Sequence, residues 1–406
     1  MTVRLEHLER GPTVAAGFRA AAVRCGLKSS GDDLAIILAD QPCTAAGVFT
    51  TNQFKASCVQ YSAGIASGSR AQAVLVNSGI ANAANGAAGM EDTQEMARAA
   101  AAIFQIDPGD ILVASTGVIG QRLPLPSMKE QMPRLRSNLA AGYEADLRVA
   151  RAIMTTDTVE KLASAQCQSD GWQAPFYIGG TAKGSGMIAP NMATMLAFVT
   201  TDAALPAAVA QQCLKEAADR TFNCVTVDGD TSTNDMVLLL SSGRVQWIEG
   251  KDQEAIADFQ AALSAVCEEL ARKIAADGEG ATKTIEVVVR GAVDEPSARR
   301  IARSICESPL VKTAFYGNDP NWGRILMAAG KAGIPLNPNL VTLQIGGIMV
   351  FQNGAAAQFV PERVSDRMRQ SVVSVVIDLG IGVGEARFWS CDMSFEYIHI
   401  NADYHT

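Results

Sequence analysis

Ala193 and Thr194 stand together at the centre of KGSGMIAPNMATMLAFVTTDA, which runs from Lys183 to Ala203. A small residue directly before a threonine permits an uncommon reaction, in which the hydroxyl attacks the preceding carbonyl and converts the amide into an ester. Hydrolysis of that ester would leave Thr194 at a new chain start. A threonine hydroxyl is a weak nucleophile alone, but a free α-amino group beside it can act as its base. The α-amino pKa lies near ~7.7–8.0, so much of that amine can take a proton near neutral pH. Gly184 and Gly186 permit the tight turn that would bring the hydroxyl onto the carbonyl. Without that chemistry the segment is a glycine-rich turn entering a buried strand, MLAFV, and periodicity does not separate the two readings.

Further groups with chemical potential recur along the chain. Thr116 and Gly117 lie in STGVIG (Ser115–Gly120), directly after the strand pattern ILVAS, where a hydroxyl and a backbone N–H could hold a developing oxyanion. Such a donor is worth ~3–4 kcal/mol in acyl transfer; the plain alternative is an ordinary strand-ending turn. Lys183 stands among small residues and could meet a substrate carboxylate as a point charge, where most lysines are merely solvated. Thr155 and Thr156 lie in MTTDT (Met154–Thr158), Glu279 in DGEGATK (Asp277–Lys283), and Asn401 and Thr406 in NADYHT (Asn401–Thr406). Glycines around Glu279 also suit a helix stop, and terminal residues usually fray.

These blocks, together with GNDPNWGRI (Gly317–Ile325), fall in a fixed order from the first third of the chain to its last residue. In that order the chain resembles the self-cleaving bifunctional ornithine acetyltransferase family, also called glutamate N-acetyltransferase. The resemblance implies cleavage between Ala193 and Thr194, giving fragments 1–193 and 194–406 that stay intertwined. It implies Thr194 as nucleophile and Thr116 with Gly117 as oxyanion hole. It also implies substrate contacts from Thr155, chosen narrowly over Thr156, and from Lys183, Thr194, Glu279, Asn401 and Thr406. The acetyl group of N-acetylornithine would pass to Thr194 and then to glutamate, in arginine biosynthesis. Some family members also accept acetyl-CoA as donor, and no feature of the sequence decides that point. A heterotetramer of two N-terminal and two C-terminal fragments is implied, with no metal and no organic cofactor.

Composition narrows the field further. The chain has 406 residues, enough for two lobes, and its 48% hydrophobic content provides for a large core. Against 34 basic residues stand 42 acidic ones, a net charge of −8 without a basic run, which argues against nucleic acid or an anionic membrane as partner. No stretch approaches the ~18 apolar residues of a membrane span. The opening MTVRLEHLERG has no secretory pattern, and nine singly scattered cysteines suggest buried thiols, so a cytoplasmic protein is expected. His7, His399 and His405 are the only histidines and lie near the chain ends, which disfavours histidine chemistry and makes an amine base more attractive.

The elements needed to position these groups are visible in outline. Strands are expected at Ala73–Gly79, Ile111–Ser115, Met195–Thr200, across VTVDG (225–229), and at Met236–Ser242, 284–292, 341–351 and 371–384. Helices are expected at Glu91–Phe104, Ser127–Ala140, Tyr143–Met154, Pro206–Arg220, Gln253–Ala276, Ser297–Glu307 and Pro361–Arg369. In the long one, Ile256, Phe259, Leu263, Val266 and Leu270 share one face. The polar connection 168–173 reads as the least ordered stretch. The fold class is α/β or mixed α+β, and the resemblance adds a two-lobed N-terminal-nucleophile type of architecture.

Three lookalikes are set aside. GGTAKGSG lacks the phosphate-loop spacing, Gly380, Gly382 and Gly384 are spaced wrongly for a dinucleotide fingerprint and suit a bulge or close packing, and Asp228, Asp230 and Asp235 lack the glycine and glutamate of a calcium loop. A solvated or capping acidic loop is expected there. Two rival functions remain open: an N-terminal-nucleophile amidohydrolase that uses Thr194 but passes the acyl group to water, and a binding protein that never cleaves.

Overall fold

In a computed structural model the protein is described over residues 4–189 and 195–403. Ala193, Thr194 and Thr406 therefore lie outside the described residues.

One sheet contains β1 (Arg4–Leu8), β2 (Phe18–Val23), β3 (Leu34–Phe49), β4 (Arg70–Ile80), β5 (Ile111–Val118), β6 (Lys161–Gln168), β7 (Phe176–Lys183), β8 (Leu196–Ala203) and β9 (Met236–Val245). Its order is β1-β6-β7-β8-β9-β3-β4-β5, with β2 also paired to β3. A second sheet contains β10 (Thr284–Ala292), β11 (Thr342–Ile345), β12 (Ile348–Gln352), β13 (Ala355–Ala356), β14 (Val372–Asp378) and β15 (Gly384–Cys391), ordered β13-β12-β11-β14-β10-β15. The helices are α1 (Ser57–Ser67), α2 (Gly86–Phe104), α3 (Leu125–Ser137), α4 (Tyr143–Ile153), α5 (Ala207–Arg220), α6 (Asp252–Ala276), α7 (Glu295–Cys306), α8 (Pro309–Tyr316), α9 (Trp322–Gly330), α10 (Pro361–Met368) and α11 (Phe395–Asp403).

β8 and β9 form the centre of the first sheet, and their side chains alternate between two cores. Leu196, Phe198, Met236 and Leu238 pack with Val59 of α1, Met96 of α2, Met128 of α3 and Val149 of α4. Ala197, Val199, Val237 and Leu239 pack on the other face with Leu214 of α5 and with Phe259, Leu263 and Val266 of α6. Both faces are thus covered, which is why these strands read as continuous apolar runs. The expected stripe of α6 is confirmed, with Phe259, Leu263, Val266 and Leu270 fully buried and Ile256 partly so. This helix packs on β6 and β7 of one sheet and β15 of the other, tying the two layers together.

Several expectations need correction. VTVDG is not a strand: Phe222–Cys224 is a 3-10 turn, and residues 225–229 follow without a ladder, apart from a single bridge from Val225 to Trp389. Their N–H groups are used elsewhere, Thr226 donating to Trp389 O and Val227 to Ile188 O. The run 341–351 is a hairpin, because Gly346 and Gly347 take φ of 56° and 79°, the left-handed pair a tight hairpin turn requires. The close packing expected of Gly382 and Gly384 is found: an added Cβ would strike the backbone of Ala292 and Asp294 at 2.2 Å. The connection 168–173 is anchored rather than loose, since Trp172 is buried, donates to Ala255 O and packs on Phe176.

Candidate active site

β5, β7 and the loop before β9 converge on one cavity. It is lined by Thr116, Gly117, Thr155, Thr156, Lys183, Gly186, Met187, Ser232, Thr233, Asn234, Glu279 and Asn401, among others. Every expected site residue within the described range, from Thr116 to Asn401, is therefore brought to one place. Of the three histidines, His7 and His399 are exposed, and neither lines this cavity.

Thr116 and Gly117 end β5, which runs parallel to β4 with Gly117 opposite Gly79. Gly117 has φ of 127°, and a Cβ there would lie 2.3 Å from the Gly79 carbonyl carbon. Only glycine fits, so the main chain itself can form the cavity wall at this point. Asn234 ties the strand end down by donating Nδ2 to Ser115 O and Ala81 O, at 2.8 and 2.7 Å.

Lys183 closes β7 and is 2% exposed. Its Nζ donates to Thr155 Oγ1 at 2.8 Å, reaches Thr116 Oγ1 at 3.5 Å, and lies 3.8 Å from Asp157 Oδ2. The reading of a lysine aimed into a site, rather than into solvent, is the one the geometry supports. Burial lowers the Lys183 pKa, with Asp157 opposing the shift. Thr155 rather than Thr156 bonds the lysine.

Beneath Lys183 lies a charged network that the sequence did not reveal. Lys161 Nζ, buried at the start of β6, bridges Asp157 Oδ1 at 2.7 Å and Asp277 Oδ2 at 2.5 Å. Asp157 also accepts from the N–H groups of Gly184 and Thr155, and Asp277 from Thr158. Burial pushes the Asp157 carboxyl upward, but Lys183 and Lys161 overcome it and hold it at about 2. Ser185 extends the clamp by donating Oγ to Asp277 O and accepting Glu279 N–H on its own carbonyl. Asp157 and Asp277 lie inside the blocks MTTDT and DGEGATK, so the candidacy of their neighbours was the available signal.

Glu279 lines the same cavity. Gly186 leaves it room, since a Cβ there would meet its carboxyl at 2.3 Å. Asn401 Nδ2 donates to Glu279 Oε2 at 2.8 Å from α11, a helix with no buried residue.

The acidic loop after α5 is a clamp and not a solvated patch. Asp228 accepts the N–H groups of Met187 and Ile188, and Asp235, fully buried, accepts Met195 N–H at 2.9 Å. The capping half of the expectation holds; the solvated half fails for Asp235. Burial raises the Asp228 carboxyl to about 6, with Asp230 adding to the rise. These two carboxyls grip the chain on either side of residues 190–194.

A larger cavity along α6, lined by His7, Glu268, Glu269, Arg272 and Trp389, contains none of the expected site residues.

A mixed α/β scaffold carries threonine hydroxyls, a lysine and a carboxylate around a glycine-walled cavity, the chemistry of a site for a small charged molecule. The ArgJ family profile matches residues 19–406, and the chain belongs to that family. It is 48% identical over 399 residues to the arginine biosynthesis bifunctional protein ArgJ of Dehalococcoides mccartyi, covering 97% of each chain. To the Synechocystis sp. protein of the same name it is 44% identical over 411 residues, covering 98% of each. It is also similar to a solved ornithine acetyltransferase complexed with ornithine from Mycobacterium tuberculosis, 40% identical over 47% of this chain and 98% of that one, with a TM-score of 0.43.

Proposed function

We propose that the chain cuts itself between Ala193 and Thr194, and that the mature enzyme moves the acetyl group of N-acetylornithine to glutamate in arginine biosynthesis. Full-length similarity to bifunctional ArgJ proteins supports acetyl transfer in that pathway. The observation that carries the site assignment is the meeting of Thr116, Gly117, Thr155, Lys183, Glu279 and Asn401 in one cavity at the entrance to β8.

In the self-cleavage step Thr194 Oγ bonds to the Ala193 carbonyl carbon, the C–N bond breaks, and the nitrogen takes up the hydroxyl proton to become a free amine. Water then releases the Ala193 carboxylate. In the first half-reaction Oγ attacks the acetyl carbonyl, the α-amine takes the hydroxyl proton, and ornithine departs with it. Glutamate's amine then attacks the acetyl ester and restores the hydroxyl. In this reading Thr116 and Gly117 steady each oxyanion. Lys183 and Glu279 bring opposite charges to one cavity, which suits a molecule bearing both carboxylate and ammonium. Thr406 completes the substrate contacts in this reading, no cofactor takes part, and acetyl-CoA serves as a second donor. The enzyme is cytoplasmic and assembles as two N-terminal plus two C-terminal fragments. The exposed Phe395 and Ile398 of α11 support such assembly.

Intact mass is the decisive measurement. Two fragments meeting at Ala193 and Thr194 are expected, and Thr194→Ala should leave one 42.7 kDa chain without transferase activity. An uncut wild-type chain that transfers acetyl groups normally would overturn the scheme. Parallel initial-velocity lines for acetylornithine and glutamate are expected; released acetate without acetylglutamate would make the protein an amidohydrolase instead.

A further inference from the structure

Asn234 lines the cavity, yet its amide has no donor left to offer a ligand. It is 4% exposed, in the loop before β9. Its Nδ2 donates to Ala81 O at 2.7 Å and to Ser115 O at 2.8 Å. Its Oδ1 accepts from the Thr233 hydroxyl at 2.7 Å. A side-chain amide has two donors, and here both are engaged by main-chain carbonyls. Whatever Asn234 does for chemistry, it must do through the two carbonyls it holds.

Those carbonyls bracket Thr116 and Gly117. Ser115 O and Thr116 N–H share one rigid peptide plane, so a fixed Ser115 O fixes the plane that leads into Thr116. On the far side of Gly117, Val118 O accepts Ala81 N–H at 2.9 Å, and Ala81 is the other residue that Asn234 holds. Thr116 and Gly117 therefore lie between two carbonyls whose positions both trace back to one side chain. The strand ladder alone does not hold them. β4 and β5 lose register at Gly79 and Ile80, where Ile80 stands opposite both Thr116 and Val118. Such an irregularity re-aims the chain and leaves its ladder locally disrupted. The next residue, Asp235, accepts Met195 N–H at 2.9 Å, so the same loop also holds the head of β8. Positions 234 and 235 thus set the end of β5 against the start of β8.

Resting on the oxyanion role given to Thr116 and Gly117, we propose that Asn234 is the positioning residue of that cradle. Through Ser115 and Ala81 it fixes the direction in which the Thr116 hydroxyl and the Gly117 N–H are presented. It binds no substrate itself. An oxyanion donor works only when aimed at the atom where charge develops, and a misplacement of about 1 Å costs about 100-fold in rate. Alanine at position 234 releases both carbonyls and the segment between them while leaving every donor of the cradle in the chain. Ground-state contacts from Lys183 and Glu279 stay in place.

The test is a double-mutant cycle on the full chain: wild type, Thr116→Ala, Asn234→Ala and the pair together. A wild type that moves no acetyl group to glutamate sinks the functional reading, and T116A with an unchanged kcat sinks the oxyanion role. Both results are visible without N234A. T116A is expected to lose about 100-fold or more in kcat. N234A should lose about 100-fold in kcat as well, with KM for acetylornithine and for glutamate within about threefold. The pair should fall no more than about tenfold below the worse single variant, because the donor that Asn234 aims is already gone. Independent effects would multiply to about 10,000-fold, and that product overturns the inference. A loss in N234A confined to KM or to thermal stability overturns it too. Should N234A stay uncut, the rate of cutting replaces kcat in the same cycle, since that step also passes through an oxyanion. An uncut N234A beside a T116A that cuts at full speed refutes the assignment. Should N234A not fold, Asn234→Ser takes its place, keeping one donor for one carbonyl. Its kcat is expected to fall about tenfold, and an unchanged kcat refutes the positioning role.

Discussion

Lys183 and Glu279 face the same cavity from different kinds of support. Lys183 is held by Asp157, which buried Lys161 in turn ties to Asp277, at the ends of interior strands of a sheet covered on both faces. Glu279 follows the end of α6 and is met by Asn401 from α11, which buries nothing of its own. The floor is part of the folding core, whereas the rim is an addition laid over it. Charge at the floor is therefore bound up with stability, and charge at the rim less so.

The largest expected effect comes from emptying the centre of the floor. Lys161→Met leaves Asp157 and Asp277 without their shared cation, and breaking a buried pair in this way costs about 3–5 kcal/mol. Thermal or denaturant unfolding should show a large loss; a change below about 1 kcal/mol would erase the distinction between floor and rim. Lys183→Met comes next. Asp157 keeps Lys161 and two backbone N–H groups, so folding should survive while kcat/KM falls about 100-fold or more, consistent with losing ~3 kcal/mol of charged contact. Steady-state kinetics alongside a melting curve would separate the two. At the rim, Glu279→Gln should raise KM for glutamate about tenfold, with stability within ~0.5 kcal/mol, and Asn401→Ala should act in the same direction more weakly. A drop in melting temperature for Asn401→Ala as large as that for Lys161→Met would show that α11 is core after all.

The smallest effect concerns pH. Asp228 has its folded-state pKa raised to about 6, above the ordinary ~3.9 of an unfolded aspartate. The folded state therefore binds the extra proton between these values, and stability from this group declines as pH rises from about 4 to 6. Asp157 is opposite in sign: held at about 2, it contributes stability above ~4 that is lost as pH falls toward 2. Stability curves of the wild type and Asp228→Asn should diverge within pH 4–6 and run parallel above it. Identical slopes throughout that window would discount the burial of Asp228.

What the sequence made legible follows the same division. β4, β5, β8, β9 and β10 stand out because strands buried on both faces read as unbroken apolar runs, and α6 because its stripe repeats over many turns. β6 and β7 escape notice, since KLASAQCQ is half polar and FYIGGTAK places two glycines where a strand gives no hint of itself. The cavity residues Thr116, Thr155, Lys183, Glu279 and Asn401 were reached through family resemblance of their blocks, not through periodicity. Asp157, Lys161, Asp277, Asp228 and Asp235 were missed as partners, because no local pattern shows that residues more than a hundred positions apart, such as Lys161 and Asp277, will share a proton-rich pocket. An isolated acidic residue in a loop looks solvated until the fold buries it.

The strand order carries a consequence for the mature molecule. β8 and β9 come after residues 190–194 in the chain, yet they lie between β7 on one side and β3 on the other, strands that come before them. A piece inserted through the middle of another sheet cannot slide off an edge; it leaves only when both ladders open together. If the cut falls where proposed, isotopically light and heavy preparations mixed as native enzyme would keep their original partners, and hybrids would form only after denaturation and refolding.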